Sequence, residues 1–177
     1  DEAVVLDEGN ISKPTNMSTS IWLYSHAGSY DGFFGQTSND VAYFTNSNEI
    51  VLYLDGGRQQ VSSTNSILSN TWYHVVTTCD GTTSKIYIDG VLDSEVTYDT
   101  RIDIGIIGGD QLNNEQFDGY LRDARIYDFI LSDDQVASLY SNSFNVTPLH
   151  WWKLDEGTGS TASDVGTATA NNGDINN

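Results

Sequence analysis

Trp72-Tyr73-His74-Val75-Val76-Thr77-Thr78-Cys79-Asp80-Gly81, followed by Lys85-Ile86-Tyr87-Ile88-Asp89-Gly90, decides the fold. Both runs are rich in β-branched and aromatic residues, which suit a pleated, half-buried surface. Each run ends in Asp-Gly, where glycine supplies the positive φ that a tight turn needs. The pair therefore reads as two strands, Trp72–Cys79 and Ser84–Ile88. Successive side chains of a strand point to opposite faces. Ile86 and Ile88 thus share one face, and Lys85, Tyr87 and Asp89 the other. His74, inside an apolar strand, is expected to be a hydrogen-bonded core histidine. Cys79 is the only cysteine and is expected to be a buried, inert thiol.

The same pattern extends outward. Strands are expected near Ala3–Leu6, Thr19–Tyr24, Gly32–Gln36, Val41–Thr45, Ile50–Leu54, Arg101–Gly105, Gly119–Tyr127 and His150–Leu154. Asp55-Gly56-Gly57 supplies another turn. Ten short strands punctuated by turns imply an all-β, two-sheet antiparallel sandwich. Ile21 and Leu23 oppose Trp22 and Tyr24; Ile50, Leu52 and Leu54 oppose Val51, Tyr53 and Asp55; Ile126 opposes Arg125 and Tyr127. The aliphatic set is the expected core. The other set mixes aromatics with charges, which suits sugar recognition. A pyranose offers an apolar C–H face to a ring and hydroxyls to carboxylates and amides. Trp22, Tyr24, Tyr53, Tyr87, Arg125 and Tyr127 are therefore the candidate ligand-binding residues, while half-buried rings with wet polar tips are the plainer alternative. Tyr30, Phe33 and Phe34 suit either loop anchoring or ligand contact.

One helix is expected, Asp133–Tyr140. Ser132 can cap it, Gln135 completes a capping box, and Asp133 and Asp134 suit the positive end of its dipole. Its expected role is to close one end of the sandwich. Charge narrows the partners. Across 177 residues, 25 acidic side chains face 7 basic ones, for a net charge of −18. Such a chain repels nucleic acid and anionic membranes. No apolar run approaches the roughly 20 residues that span a bilayer, so membrane insertion is not expected. Three glycosylation sequons, at Asn10, Asn16 and Asn145, matter only in a secreting host.

Several ordered motifs resemble the laminin-G-like domains of the concanavalin A-like superfamily. The Trp72–Gly90 run is similar to that family's Trp-x-His-Val strand and Tyr-x-Asp-Gly hairpin. Ile104-Gly105 with Gly108-Gly109 looks like its Ile-Gly strand. Gly119 to Asp128, then Leu131-Ser132 and the helix, looks like its closing strand and helix. The resemblance implies a jelly roll. Trp151-Trp152-Lys153-Leu154-Asp155-Glu156-Gly157 resembles how such domains open, whereas Asp1 to Pro14 resembles a second strand. The arrangement implies a single domain over 1–177, permuted so that 150–177 supplies its opening segment, or a slice of a tandem array. Residues 150–156 are expected to pair in a sheet and the termini to lie close together. Related domains bind Ca²⁺ through carboxylates, so calcium is the one cofactor implied. Asp123, Asp155, Glu156 and Asp164 are its candidate ligands, and Arg122 stands where many relatives carry an acid.

The Glu-x-Asp-x-x-Glu strand of the superfamily's glucanases is absent, and so are a nucleophile elbow and a phosphate loop. The expected function is a non-catalytic binding module. It would recognise a glycan or a surface-protein ligand at an extracellular, cell or virion surface, linked to further domains. The alternative is a structural spacer in a repetitive surface or tail-fibre protein. A lectin predicts an exposed aromatic cluster; a spacer predicts those aromatics buried.

Overall fold

The computed structural model describes residues 3–7, 9–26, 31–37, 40–44, 48–54, 59–64, 67–109, 116–143 and 147–176. Tyr30, the Asp55–Gly57 turn and Asn145 lie outside them. The strands are β1 (Ala3–Leu6), β2 (Met17–Ser25), β3 (Asp31–Thr37), β4 (Asp40–Phe44), β5 (Ile50–Leu54), β6 (Gln59–Ser62) and β7 (Trp72–Cys79), then β8 (Ser84–Ile88), β9 (Val91–Val96), β10 (Ile106–Ile107), β11 (Gly119–Tyr127), β12 (His150–Trp152), β13 (Thr161–Ala162) and β14 (Gly173–Asn176), with helix α1 (Asp133–Tyr140) between β11 and β12. One sheet runs β13-β14-β1-β10-β3-β4-β5-β6 and the other β12-β11-β2-β7-β8-β9. The result is an antiparallel sandwich of jelly-roll type.

The aliphatic faces meet between the sheets. Ile21, Leu23, Ile50, Leu52, Leu54, Val75, Ile86 and Ile126 all join one buried cluster. Phe33 and Phe34 join it too, although neighbours in a regular strand cannot share a face. An irregularity in register between Gly32 and Phe34 turns both inward, so neither is available as a ligand contact.

The helix corrects an expectation. It lies on the outer face of the second sheet rather than across an end of the sandwich. Val76, Tyr87 and Tyr127 point outward there and would expose a large apolar patch. Leu131, Val136 and Leu139 cover them in a second buried cluster. Ser132 accepts from the Gln135 backbone N–H and donates its own N–H to the Gln135 side chain, completing the capping box. The Tyr87 hydroxyl donates to Asp133 at 2.7 Å. Gly90 has φ +83° and lies so close to Tyr140 and Ala137 that a side chain there would crowd the helix.

Arg101–Gly105 is not a strand. Arg101 folds back on Asp99 and donates to the Pro14 and Thr15 carbonyls. Regular pairing begins only at β10, which lies between β1 and β3. The unexpected strands β6, β9 and β13 are all sheet edges, and β14 is next to one.

The C-terminal stretch, poor in apolar residues, is held by specific polar contacts. Trp152 faces Ala124 in β11, is fully buried and donates its indole N–H to the Asn171 carbonyl at 2.9 Å. Asp164 gathers four donors: the backbone N–H groups of Trp151, Gly166 and Asn171, and the His150 ring at 2.6 Å. Burial alone would raise its pKa, but these hydrogen bonds outweigh burial and hold the carboxyl below the usual range. β14 then pairs along β1, so that Ala3 faces Asn176 and the two ends of the described chain are neighbours.

Candidate functional site

Helix α1 covers only part of the outer face of the second sheet. Beyond Tyr140 that face is open, and strand register determines what it shows. Tyr120 in β11 faces Tyr24 in β2, which faces Trp72 in β7; in the next row Arg122 faces Trp22, which faces His74. Between Arg122 and Arg125 the pairing slips at a bulge, where Asp123 takes φ +53°. The bulge sends Leu121 and Ala124 into the core and leaves both Arg122 and Arg125 outside.

The result is an aromatic strip. Tyr24 lies 5.6 Å from Trp72 and 5.7 Å from Tyr120, between ring centroids. His26 meets Tyr120 edge-on at 5.1 Å and hydrogen-bonds Asp118 at 2.9 Å. Trp22 stacks on Tyr140 at 5.7 Å and tilts against His74 at 5.1 Å. The Arg122 guanidinium sits 4.7 Å from the Trp22 centroid and 4.9 Å from that of Trp72. Trp22 is thus hemmed in, whereas Trp72 and Tyr120 are 37% and 59% exposed. Gly119 makes the strip's start possible, because a side chain there would collide with the Tyr24 carbonyl oxygen. Beside Tyr120 opens a cavity of about 600 Å³ whose wall includes Phe117, Leu154 and Glu156.

The expected ligand residues are scattered by this geometry. Trp22 and Tyr24 lie in the strip. Arg125 is next to it but is tied to Asp123 at 3.1 Å and stacks on Trp151 at 4.6 Å. Tyr53 is on the other sheet, packed beside Val51, and so faces away from the strip. Tyr87 and Tyr127 are buried under the helix, 2% and 0% exposed, and cannot touch a ligand while it is docked. Trp72, Tyr120, Arg122, His26 and Tyr140 were not expected. Side-chain parity puts Trp72 on the same face as His74, but only cross-strand register brings it to Tyr24.

The four carboxylates read as calcium ligands do not converge. Asp164 is saturated by backbone and His150 donors, and Asp123 accepts from Arg125 and from the Trp151 indole. Glu156 accepts from the Ser163 N–H, and Asp155 is exposed. Among the described residues no group of three or more His, Cys, Asp or Glu side chains could hold a metal ion. Nor is any described helix long and apolar enough to cross a membrane.

His74 lies beneath the strip, 1% exposed. Its Nε2 is 2.9 Å from the Ser20 hydroxyl, and its Nδ1 has no partner among the described residues. Burial, aided by the Arg125 charge, lowers its pKa to about 4 from 6.5. The folded protein therefore refuses a proton that the unfolded chain accepts, and stability falls as pH drops from about 6.5 towards 4. The full loss is about 3 kcal/mol. Asp31 acts in the opposite sense, because burial raises its carboxyl to about 6. Comparing His74→Gln with the parent isolates the histidine. The variant's melting temperature should fall less between pH 7 and pH 4.5; equal falls would refute the assignment.

A family model described as the concanavalin A-like lectin/glucanases superfamily matches residues 1–137. No curated protein matches the sequence. Among solved structures, a Bacteroides ovatus protein provisionally described as carbohydrate-binding superposes with TM-score 0.78 at 16% identity, over 100% of this chain and 56% of its own. The chain thus spans little more than half of that protein. A native heptameric SAP-like pentraxin from Limulus polyphemus gives TM-score 0.65 at 17% identity, over 98% of this chain and 88% of its own. Domain 4 of an extracellular arabinanase from Geobacillus stearothermophilus, in complex with arabinotriose, gives 0.59 at 17% identity, over 75% and 70%. With its sandwich and the match over residues 1–137, the chain belongs to the concanavalin A-like lectin/glucanases superfamily.

Proposed function

We propose that the protein is a non-catalytic module that binds a glycan along the outer strip, with Trp72 and Tyr120 as stacking platforms. It would work at an extracellular, cell or virion surface as part of a larger protein. The observation that carries this reading is the row Tyr120–Tyr24–Trp72, whose two outer rings are open, whereas Tyr87 and Tyr127 on the same face are covered by the helix. Exposed aromatics in a row give a sugar large apolar contact at low entropic cost. Proteins of similar fold described as carbohydrate-binding, or in complex with arabinotriose, are consistent with it. The spacer reading accounts for buried Tyr87 and Tyr127 but gives no reason for the open rings.

The test is a glycan array probed in Ca²⁺ and again in EDTA. Selective binding is expected in both, because the strip is made of rings and cations rather than a carboxylate cluster. A blank array from folded protein would favour the spacer.

A further inference from the structure

We infer that the ligand's decisive group is a sugar carboxylate, taken by Arg122; this rests on the glycan reading above. Acidic side chains outnumber basic ones 25 to 7 in this chain, so an arginine that pairs with no carboxylate is conspicuous. Lys85, Arg101 and Arg125 pair with Glu95, Asp99 and Asp123. Arg122 pairs with no carboxylate among the described residues. It is exposed, yet it is not loose, because its guanidinium lies within 5 Å of both the Trp22 and Trp72 ring centroids. Cation–π contact of this kind fixes the plane of the group without using its N–H donors.

Two consequences follow. The donors at the guanidinium edge remain for an external acceptor, and a planar fork matches a carboxylate by two parallel hydrogen bonds. The acceptor would lie beside the exposed Trp72 and Tyr120 rings, so one acidic pyranose can stack on a ring and present its carboxylate to Arg122. Lys153, 5.3 Å from the Trp151 centroid, is a cation on the β11–β12 side of the same face that touches Trp151 rather than a ring of the strip. The net charge of −18 repels an approaching polyanion at long range. Salt screens that repulsion beyond about 8–10 Å, whereas the contact at Arg122 is made at hydrogen-bond distance.

The experiment compares a polyuronate with its carboxyl-reduced, neutral counterpart and with a sulfated neutral polysaccharide, by titration at 150 mM salt. The parent protein should bind the polyuronate at least about tenfold tighter than the reduced form. In Arg122→Met, which keeps a long apolar side chain between the rings, that ratio should collapse towards one. Lys153→Met removes the same charge from the same face and should largely preserve it. A ratio retained in Arg122→Met, or a parent that prefers the neutral polymer, overturns the inference and leaves the glycan reading intact. Tighter binding of the sulfated polymer overturns the carboxylate assignment. If none of the three binds folded protein and the array is also blank, the glycan reading itself fails.

Discussion

Trp152→Ala is expected to destabilise the protein by about 3–5 kcal/mol, the range for removing a large aromatic side chain from a core. Trp152 is fully buried in the main cluster, and its indole N–H satisfies the Asn171 carbonyl. The substitution leaves a void and also removes one buried hydrogen bond, which adds about 1 kcal/mol. In a chain of this size the loss corresponds to a fall in melting temperature of about 10 °C or more. Trp152→Phe keeps most of the volume and should cost distinctly less. Urea unfolding of both variants measures this directly. A change below about 1 kcal/mol for Trp152→Ala would show that the segment after Pro148 is not part of the cooperative unit.

Loss of the strip is expected to affect binding without affecting stability. Trp72→Ala and Tyr120→Ala should each weaken glycan affinity about 30-fold, and together several hundred-fold, on the scale of aromatic hot spots. The pair should fall somewhat short of additive because Tyr24 touches both rings. Both rings are substantially exposed, so melting temperatures should stay close to the parent's. Tyr53→Ala, on the opposite sheet, should leave affinity unchanged. Loss of affinity in that variant with none in the strip variants would place the ligand on the wrong face for this account.

Much of the fold could be read from residue pattern because alternation and turn chemistry act locally. β1, β5, β7, β8, β11 and α1 fall where the sequence predicts them, since each is a run of strand- or helix-forming residues set off by turn or cap residues. The edge strands β6, β9 and β13 are not legible in the sequence because an edge buries little and its composition is that of a loop. In β9, Val91 is 69% exposed, and nothing in Val91-Leu92-Asp93-Ser94-Glu95-Val96 alternates cleanly.

The site was less legible for a different reason. Side-chain parity separates the two faces of each strand but does not say what covers the outer one. Tyr87 and Tyr127 have the same parity as open aromatics, yet a helix distant in sequence covers them. Arg122 and Arg125 are outward together only through the bulge at Asp123, which breaks the two-residue alternation of a regular strand. Asp164 is a candidate metal ligand in the sequence only through the resemblance, which places it in the motif that opens such domains. Here four donors, three of them backbone N–H groups, turn it into the knot of the C-terminal segment.

The most direct measurement is an NMR titration of the protein with the tightest array ligand, observing the aromatic ring protons. The account predicts intermolecular contacts from sugar C–H groups to Trp72 and Tyr120, with the largest shift changes confined to those rings and Tyr24. Contacts centred on Tyr53 or within the cavity walled by Phe117 and Leu154, with Trp72 silent, would contradict it.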